Sequence, residues 1–200
     1  MSYEIPPEEI ERLLGLEGEV RGVVFKTDHH YLKDKAGEEG VKKAEEEMKK
    51  MGYPFSYERD ATDLNFHPIG VRSLSLIAVS RVLDLDKEGV KEMGRTAPKF
   101  SSVLRFFMRY LISERTIMEK AGELWQKHYT VGELKVLEIN HEERFLKCAL
   151  YDIDLHPIFC DYLAAYLEFI AKLGIGEEME SEETMCIHRG DDHHEFIEKW

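Results

Sequence analysis

The chain has 200 residues, 40 acidic and 27 basic, for a formal net charge of −13; 43% are hydrophobic and 34% charged. That length suits one domain with a real core and is short for two. The acidic balance argues against nucleic acid or an anionic membrane as partner, because both repel a negative surface. Three cysteines make no disulfide framework. Met1 to Leu14 is polar and acidic, unlike a leader, and no apolar run approaches a membrane span. These features point to a reducing, cytoplasmic compartment.

Pro6-Pro7-Glu8-Glu9-Ile10 predicts a short opening helix, with proline in its first turn and acids at its positive end. Val20 to Phe25 is short and β-branched, which predicts a strand. Thr27 to Met51 predicts a long helix, interrupted near Gly37 to Gly40. Acid-before-base pairs four apart, such as Glu38/Lys42 and Glu45/Lys49, give it a solvated face. His67-Pro68 predicts the start of a helix reaching Leu83, with Leu74, Ile77, Ala78 and Val82 on one stripe. The next helix is capped by Asp84 or Asp86 and stops near Ala97, before Pro98.

Lys99 to Ile112 predicts the most apolar helix: Phe100, Val103, Leu104, Phe107, Met108 and Leu111 share an arc, while Ser102, Arg105 and Arg109 face away. Glu114 to His128 predicts a further amphipathic helix. Gly132 to Ile139 and Arg144 to Ile153 alternate around Asn140-His141-Glu142-Glu143, which predicts a hairpin. A helix from Pro157 to Leu173, an acidic connector and a last hairpin complete the chain. The order predicts an α+β fold, an antiparallel sheet with a block of helices on one side. It forms one domain over residues 1–200, with 1–17 as a helical extension.

Two of the three cysteines and four of the nine histidines fall after Leu155. Zinc takes thiolate and imidazole ligands in a tetrahedron. Cys160 lies in the first turn of its helix, and Cys186 and His194 on the two arms of the last hairpin. A three-residue loop, Arg189-Gly190-Asp191, puts Cys186 opposite His194 on one face; a four-residue loop would turn them apart. Glu180, Glu182 and Glu183 are available as a fourth ligand. Glu182 is an even number of residues from Cys186, so a regular strand puts both on one face. His193, His188 and His156 stand in reserve. The plainer reading makes both cysteines small buried hydrophobes.

Cys160, Cys186-x-x-x-Gly190 and the closing Glu195-Phe196 resemble the vinyl-4-reductase-type domain. This is a small-molecule-binding module related in fold to H-NOX haem domains and to TRAPP subunits of vesicle tethering. The resemblance implies a structural zinc held by the helix cysteine, an acidic residue before the strand cysteine, and a hairpin cysteine. Here His194 stands in place of that last cysteine, so the implied set is Cys160, Cys186, His194 and Glu182. H-NOX domains use a proximal histidine and a Tyr-x-Ser-x-Arg triad. Tyr110-Leu111-Ile112-Ser113-Glu114-Arg115 has one residue too many, and haem is disfavoured on that ground.

The resemblance also implies a cavity between helices and sheet. Phe100, Phe107, Tyr110 and Tyr166 are candidate lining rings, and Arg105 and Arg109, four apart, are candidates to hold an anionic group. Three functions compete. One is a sensor domain that binds a small apolar or aromatic molecule and acts on a partner as a homodimer. Another is a cysteine- or metal-dependent hydrolase of small cyclic amides, using Cys160 beside His156. The third is a dimeric scaffold. The sensor is favoured, because no oxyanion donor or phosphate loop is evident.

Overall fold

The computed structural model describes residues 3–100, 114–176 and 178–200. Helix α1 (Pro7–Leu14) precedes strand β1 (Glu19–Arg21), which a short 3-10 turn, Gly22–Val24, joins to helix α2 (Phe25–Lys50). Strand β2 (Phe66–Pro68) leads into α3 (Val71–Leu83), followed by α4 (Lys87–Phe100) and α5 (Glu114–Gln126). Strands β3 (Glu133–Asn140) and β4 (Phe145–Tyr151), helix α6 (Ile158–Ile175), and strands β5 (Glu180–Met185) and β6 (His194–Lys199) close the order. The fold is α+β, as the element pattern predicts.

The larger sheet has the order β3-β4-β6-β5, antiparallel throughout. Its register puts Leu134, Leu150 and His194 in one cross-strand row, and Val136, Cys148 and Phe196 in the next. Opposed residues share a face, so one side of this sheet is mostly apolar. Helix α6 lies against it and buries nine of its residues, from Ile158 to Ala171. On its other side α6 meets α4 so closely that a Cβ at Gly94 would fall 2.3 Å from the Tyr162 carbonyl oxygen. Only glycine permits that crossing.

Several predicted elements differ from the observed ones. Val20 to Phe25 is strand only to Arg21, because Phe25 already opens α2 and is fully buried there. His67-Pro68 belongs to β2, which pairs with β1 to make a second, two-stranded sheet. The predicted helix start there was a strand end. Pro98 sits inside α4 and does not end it. The interruption in α2 falls at Gly37, with φ 63 and ψ −164. The apolar helix expected from Lys99 to Ile112 lies outside the described residues from 101 onward. The N-terminal helix packs into the body of the protein: Leu13 is fully buried and its backbone abuts Gly70.

Between α2 and α3 sits a buried polar network. Asp28 and Arg72 are both fully buried and form an ion pair at 2.5 Å. Ser75 donates to the same Asp28 oxygen at 2.6 Å, and Tyr57 and Ser75 share a 2.9 Å hydrogen bond. The guanidinium carbon lies 4.5 Å from the Tyr162 ring centroid, close enough for a cation–π contact.

Candidate functional site

Two sites flank α6. The first lies at its N-terminal end. His156 caps the helix by accepting the Ile158 N–H at its Nδ1, 3.2 Å away. That leaves Cys160 one turn in, facing β5 and β6. On β6, His194 points to the same buried face as Phe196. Met185 opposes Glu195, so the pairing register carries Cys186 to His194 at its next step. A 3-10 turn, Ile187–Arg189, and Gly190 at φ 94 close the loop between them, a conformation that favours glycine. Asp191 fixes the loop by accepting the Cys186 N–H at 2.7 Å.

The result is a cluster of four side chains. One ligating atom each from Cys160, Glu183, Cys186 and His194 lies within 4.8 Å of every other. Cys160 Sγ is 3.7 Å from His194 Nδ1, and Glu183 Oε1 is 3.0 Å from the same nitrogen. Tetrahedral zinc, with bonds of about 2.0–2.3 Å, spaces its donors about 3.3–3.8 Å apart. Burial pushes both thiols up, Cys160 most strongly, with the Glu183 charge adding to it. Burial works the same way on Glu183, but hydrogen bonds from His194 and Cys186 outweigh it and hold its carboxyl below the usual range.

The acidic member is Glu183, not Glu182. Between Glu183 and Met185 the register against β6 shifts by a bulge, which reverses the even-spacing argument. The Glu182 side chain is 61% exposed and bonds Lys199 at 2.8 Å, whereas that of Glu183 is 16% exposed. His193 stacks on Tyr151, with centroids 4.7 Å apart. The His188 ring lies 5.9 Å from that of His194.

The second site is a cavity of about 160 Å³ on the sheet side of α6. Its walls come from the start of α2, the end of α5, strands β3 and β4, and α6 itself. Trp125, Tyr129, Phe159 and Tyr166 contribute rings, and Leu134 and Cys148 a floor on the sheet. Trp125 and Tyr129 stack at 4.2 Å, and the indole donates to the Val131 carbonyl at 2.9 Å. Tyr166, expected as a ligand contact, lines this space. Arg105, Phe107, Arg109 and Tyr110 lie outside the described residues, as does the side chain of Phe100.

His128 also lines the cavity. Its Nδ1 is buried without a hydrogen-bond partner. Burial holds its pKa down to about 4, and the charge of Arg21 pushes the same way. The ring is therefore neutral near pH 7. Its only signal in the sequence was a histidine at the end of an amphipathic helix.

No family model matches the sequence, and no curated protein matches it. Solved structures do. One, from work on tuning haem redox potential by protein-induced porphyrin distortion, aligns with a TM-score of 0.60 at 16% identity, over 90% of this chain and 99% of its own. An oxygen-binding H-NOX domain related to soluble guanylate cyclases gives 0.59 at 17%, over 89% and 91%. The H-NOX domain of Shewanella oneidensis in its Fe(II)CO state gives 0.57 at 13%, over 90% and 97%. At these identities the likeness is one of fold, and the fold is that of H-NOX domains. It corrects one expectation. Haem was disfavoured for want of the triad, yet the chain folds like proteins described with haem iron. A short motif count was the wrong ground for setting the cofactor aside.

Proposed function

We infer that residues 1–200 form one ligand-binding sensor domain that takes a small apolar molecule into the cavity beside α6. The observation that carries this is the cavity itself, walled by aromatic and aliphatic side chains within an H-NOX-like fold. Its 160 Å³ matches a single ring, since an apolar cavity of about 150 Å³ takes up benzene. Apolar walls favour uptake through burial of the guest's surface, at about 25 cal/mol per Å². Cys160 makes a poor nucleophile, because burial raises its thiol pKa, which speaks against the cyclic-amide hydrolase.

The cluster at the head of α6 is read as a structural zinc site of the vinyl-4-reductase type. Two sulfurs, an imidazole and a carboxylate are a donor set that zinc favours. Bound there, the ion would tie the β5–β6 loop to α6 and so fix one end of the helix that walls the cavity. A preparation purified without chelator is expected to contain one zinc per chain, and Cys186→Ser to lose it and melt at lower temperature. A metal-free protein with unchanged melting temperature on zinc addition would end this part of the reading.

A second reading of the occupant is haem, favoured by the solved neighbours and by His128; it requires the cavity to widen, because 160 Å³ holds one ring and a porphyrin has four. An unpartnered, neutral imidazole nitrogen at a cavity wall is the kind of group that binds haem iron. Haem supplies an iron that binds diatomic gases, and His128 would hold it. The two occupants are separated by titrating the protein with toluene and with haem. Saturable toluene binding followed by ring-current NMR shifts supports the first reading. A haem band lost in His128→Ala supports the second. Binding of neither removes the cavity as a ligand site.

A further inference from the structure

One loop residue touches the cluster at the head of α6 from outside. Arg189 ends the 3-10 turn between β5 and β6. Its backbone N–H donates to the Cys186 carbonyl at 2.8 Å, which closes the turn. Its side chain folds back to Glu183. One guanidinium nitrogen donates to the Glu183 carbonyl at 3.0 Å, and the other to its Oε2 at 3.3 Å. The second carboxylate oxygen, Oε1, lies 3.0 Å from His194 Nδ1, on the side of the cluster. Glu183 is therefore held from two sides: its outer oxygen meets a half-exposed guanidinium, its inner oxygen a buried imidazole.

The charges of the cluster give this contact a role. Thiols that coordinate a metal give up their protons, and imidazole coordinates as the neutral ring. A divalent ion held by Cys160, Cys186, His194 and Glu183 would thus set two positive charges against three negative ones. The surplus negative charge falls in a site whose members are mostly buried, where an uncompensated charge is costly. Among the described residues, Arg189 is the one cationic side chain that pairs with a member of the cluster. A carboxylate also has two oxygens with which to reach an ion. A guanidinium on the outer oxygen settles which is used, because arginine only donates and takes up lone pairs that a second bond to the ion would need.

We propose that Arg189 is a positioning residue for this site: it holds Oε2 of Glu183 outward, offers Oε1 alone to the ion, and balances the charge of the loaded cluster. The proposal rests on the zinc reading above and adds to it a residue that touches no metal. Partners that orient a ligand in this way typically change metal affinity by about 10–100-fold when lost. Arg189 is half exposed, so water and salt screen part of its charge. The expectation is the low end, about tenfold.

The test loads the full chain with zinc, read by competition with a chromophoric chelator, and with cobalt(II), read by its visible absorption, which weakens as coordination rises above four donors. Arg189→Gln should bind zinc about tenfold more weakly. Its cobalt bands should also weaken, because the freed carboxylate turns both oxygens to the ion. Arg189→Lys, which keeps a charge, should recover part of the affinity. Lys199→Gln removes a cation that pairs with exposed Glu182 and should change neither readout. Melting curves check that all three variants fold. Unchanged zinc affinity and cobalt spectrum in Arg189→Gln overturn the proposal and leave the zinc reading in place. So does an equal loss in Lys199→Gln, which makes the effect one of net charge. Absence of zinc binding by the unaltered chain overturns both.

Discussion

Two residues apart on α6, Cys160 and Tyr162 face two buried polar clusters of opposite character. Tyr162 lies over Arg72, whose charge is met by Asp28, itself held by Ser75. In that cluster the charges are paired, cation against anion with a hydroxyl beside them, although Nε and Nη2 of Arg72 make no hydrogen bond. The cluster around Cys160 holds two thiols, an imidazole and a carboxylate. Their ligating atoms lie within 4.8 Å of one another, and among the described residues no buried arginine or lysine pairs with them. Arg189 reaches Glu183 from the surface at 3.3 Å. Burial alone does not mark a functional site; several metal-ligating atoms gathered at one point do.

The largest expected effect breaks the charge-paired cluster. Asp28→Ala strands a guanidinium with no solvent exposure and should cost about 3–5 kcal/mol in urea denaturation. That is a large share of the roughly 5–15 kcal/mol that holds a domain together. A double change, Asp28→Leu with Arg72→Met, should recover much of it, because an apolar pair needs no counter-charge. Equal losses in the single and double variants would mean that packing, not charge, dominates there.

A third buried acid sharpens the contrast. Glu198 on β6 is fully buried, and Ser181 donates to its Oε1 at 2.8 Å while Oε2 has no partner. Burial raises its pKa from 4.5 to about 8; Ser181 opposes this and Glu168 adds to it. The folded state therefore keeps a proton that the unfolded chain releases above pH 4.5. The stability it contributes is fully present below about pH 4.5 and is lost as pH rises through 8. At its steepest the loss is about 1.4 kcal/mol per pH unit. Denaturation midpoints across pH 4–9 should show this slope, and Glu198→Gln should flatten it.

At the open cluster the effect is smaller in stability and larger in metal binding. Glu183→Gln should weaken zinc by at least about tenfold, read by competition with a chromophoric chelator. The neighbouring Glu182→Gln should leave zinc affinity alone and change stability by less than about 0.5 kcal/mol, since it only breaks an exposed pair with Lys199. Equal loss of zinc from both variants would contradict the bulge that separates them.

Those two glutamates show where the sequence stopped being legible. The ββ, α, ββ order of the last third follows from alternation and helical stripes, and the structure has it. The hairpin register was accessible only as one of two alternatives: a three-residue loop through Gly190 carries Cys186 back to His194, and a four-residue loop turns them apart. The bulge after Glu183 was not, because it arises from pairing with β6 and leaves no mark in the local pattern. The same holds for β2: His67-Pro68 reads like a helix start, and only the presence of Val20 across from His67 makes it a strand. His128 was invisible for a related reason. Its neighbour Arg21 lies more than a hundred residues away in the chain.

The sheet order has a consequence for how the protein is made. Among the described strands β6 comes last in sequence, yet it lies between β4 and β5. Until it leaves the ribosome, one edge of β4 stays unpaired, and the hairpin that floors the cavity has half its final support. An open edge of that kind invites pairing with other chains. Synthesis halted anywhere before His194 should therefore yield a nascent product that needs chaperone cover, however complete its helices are.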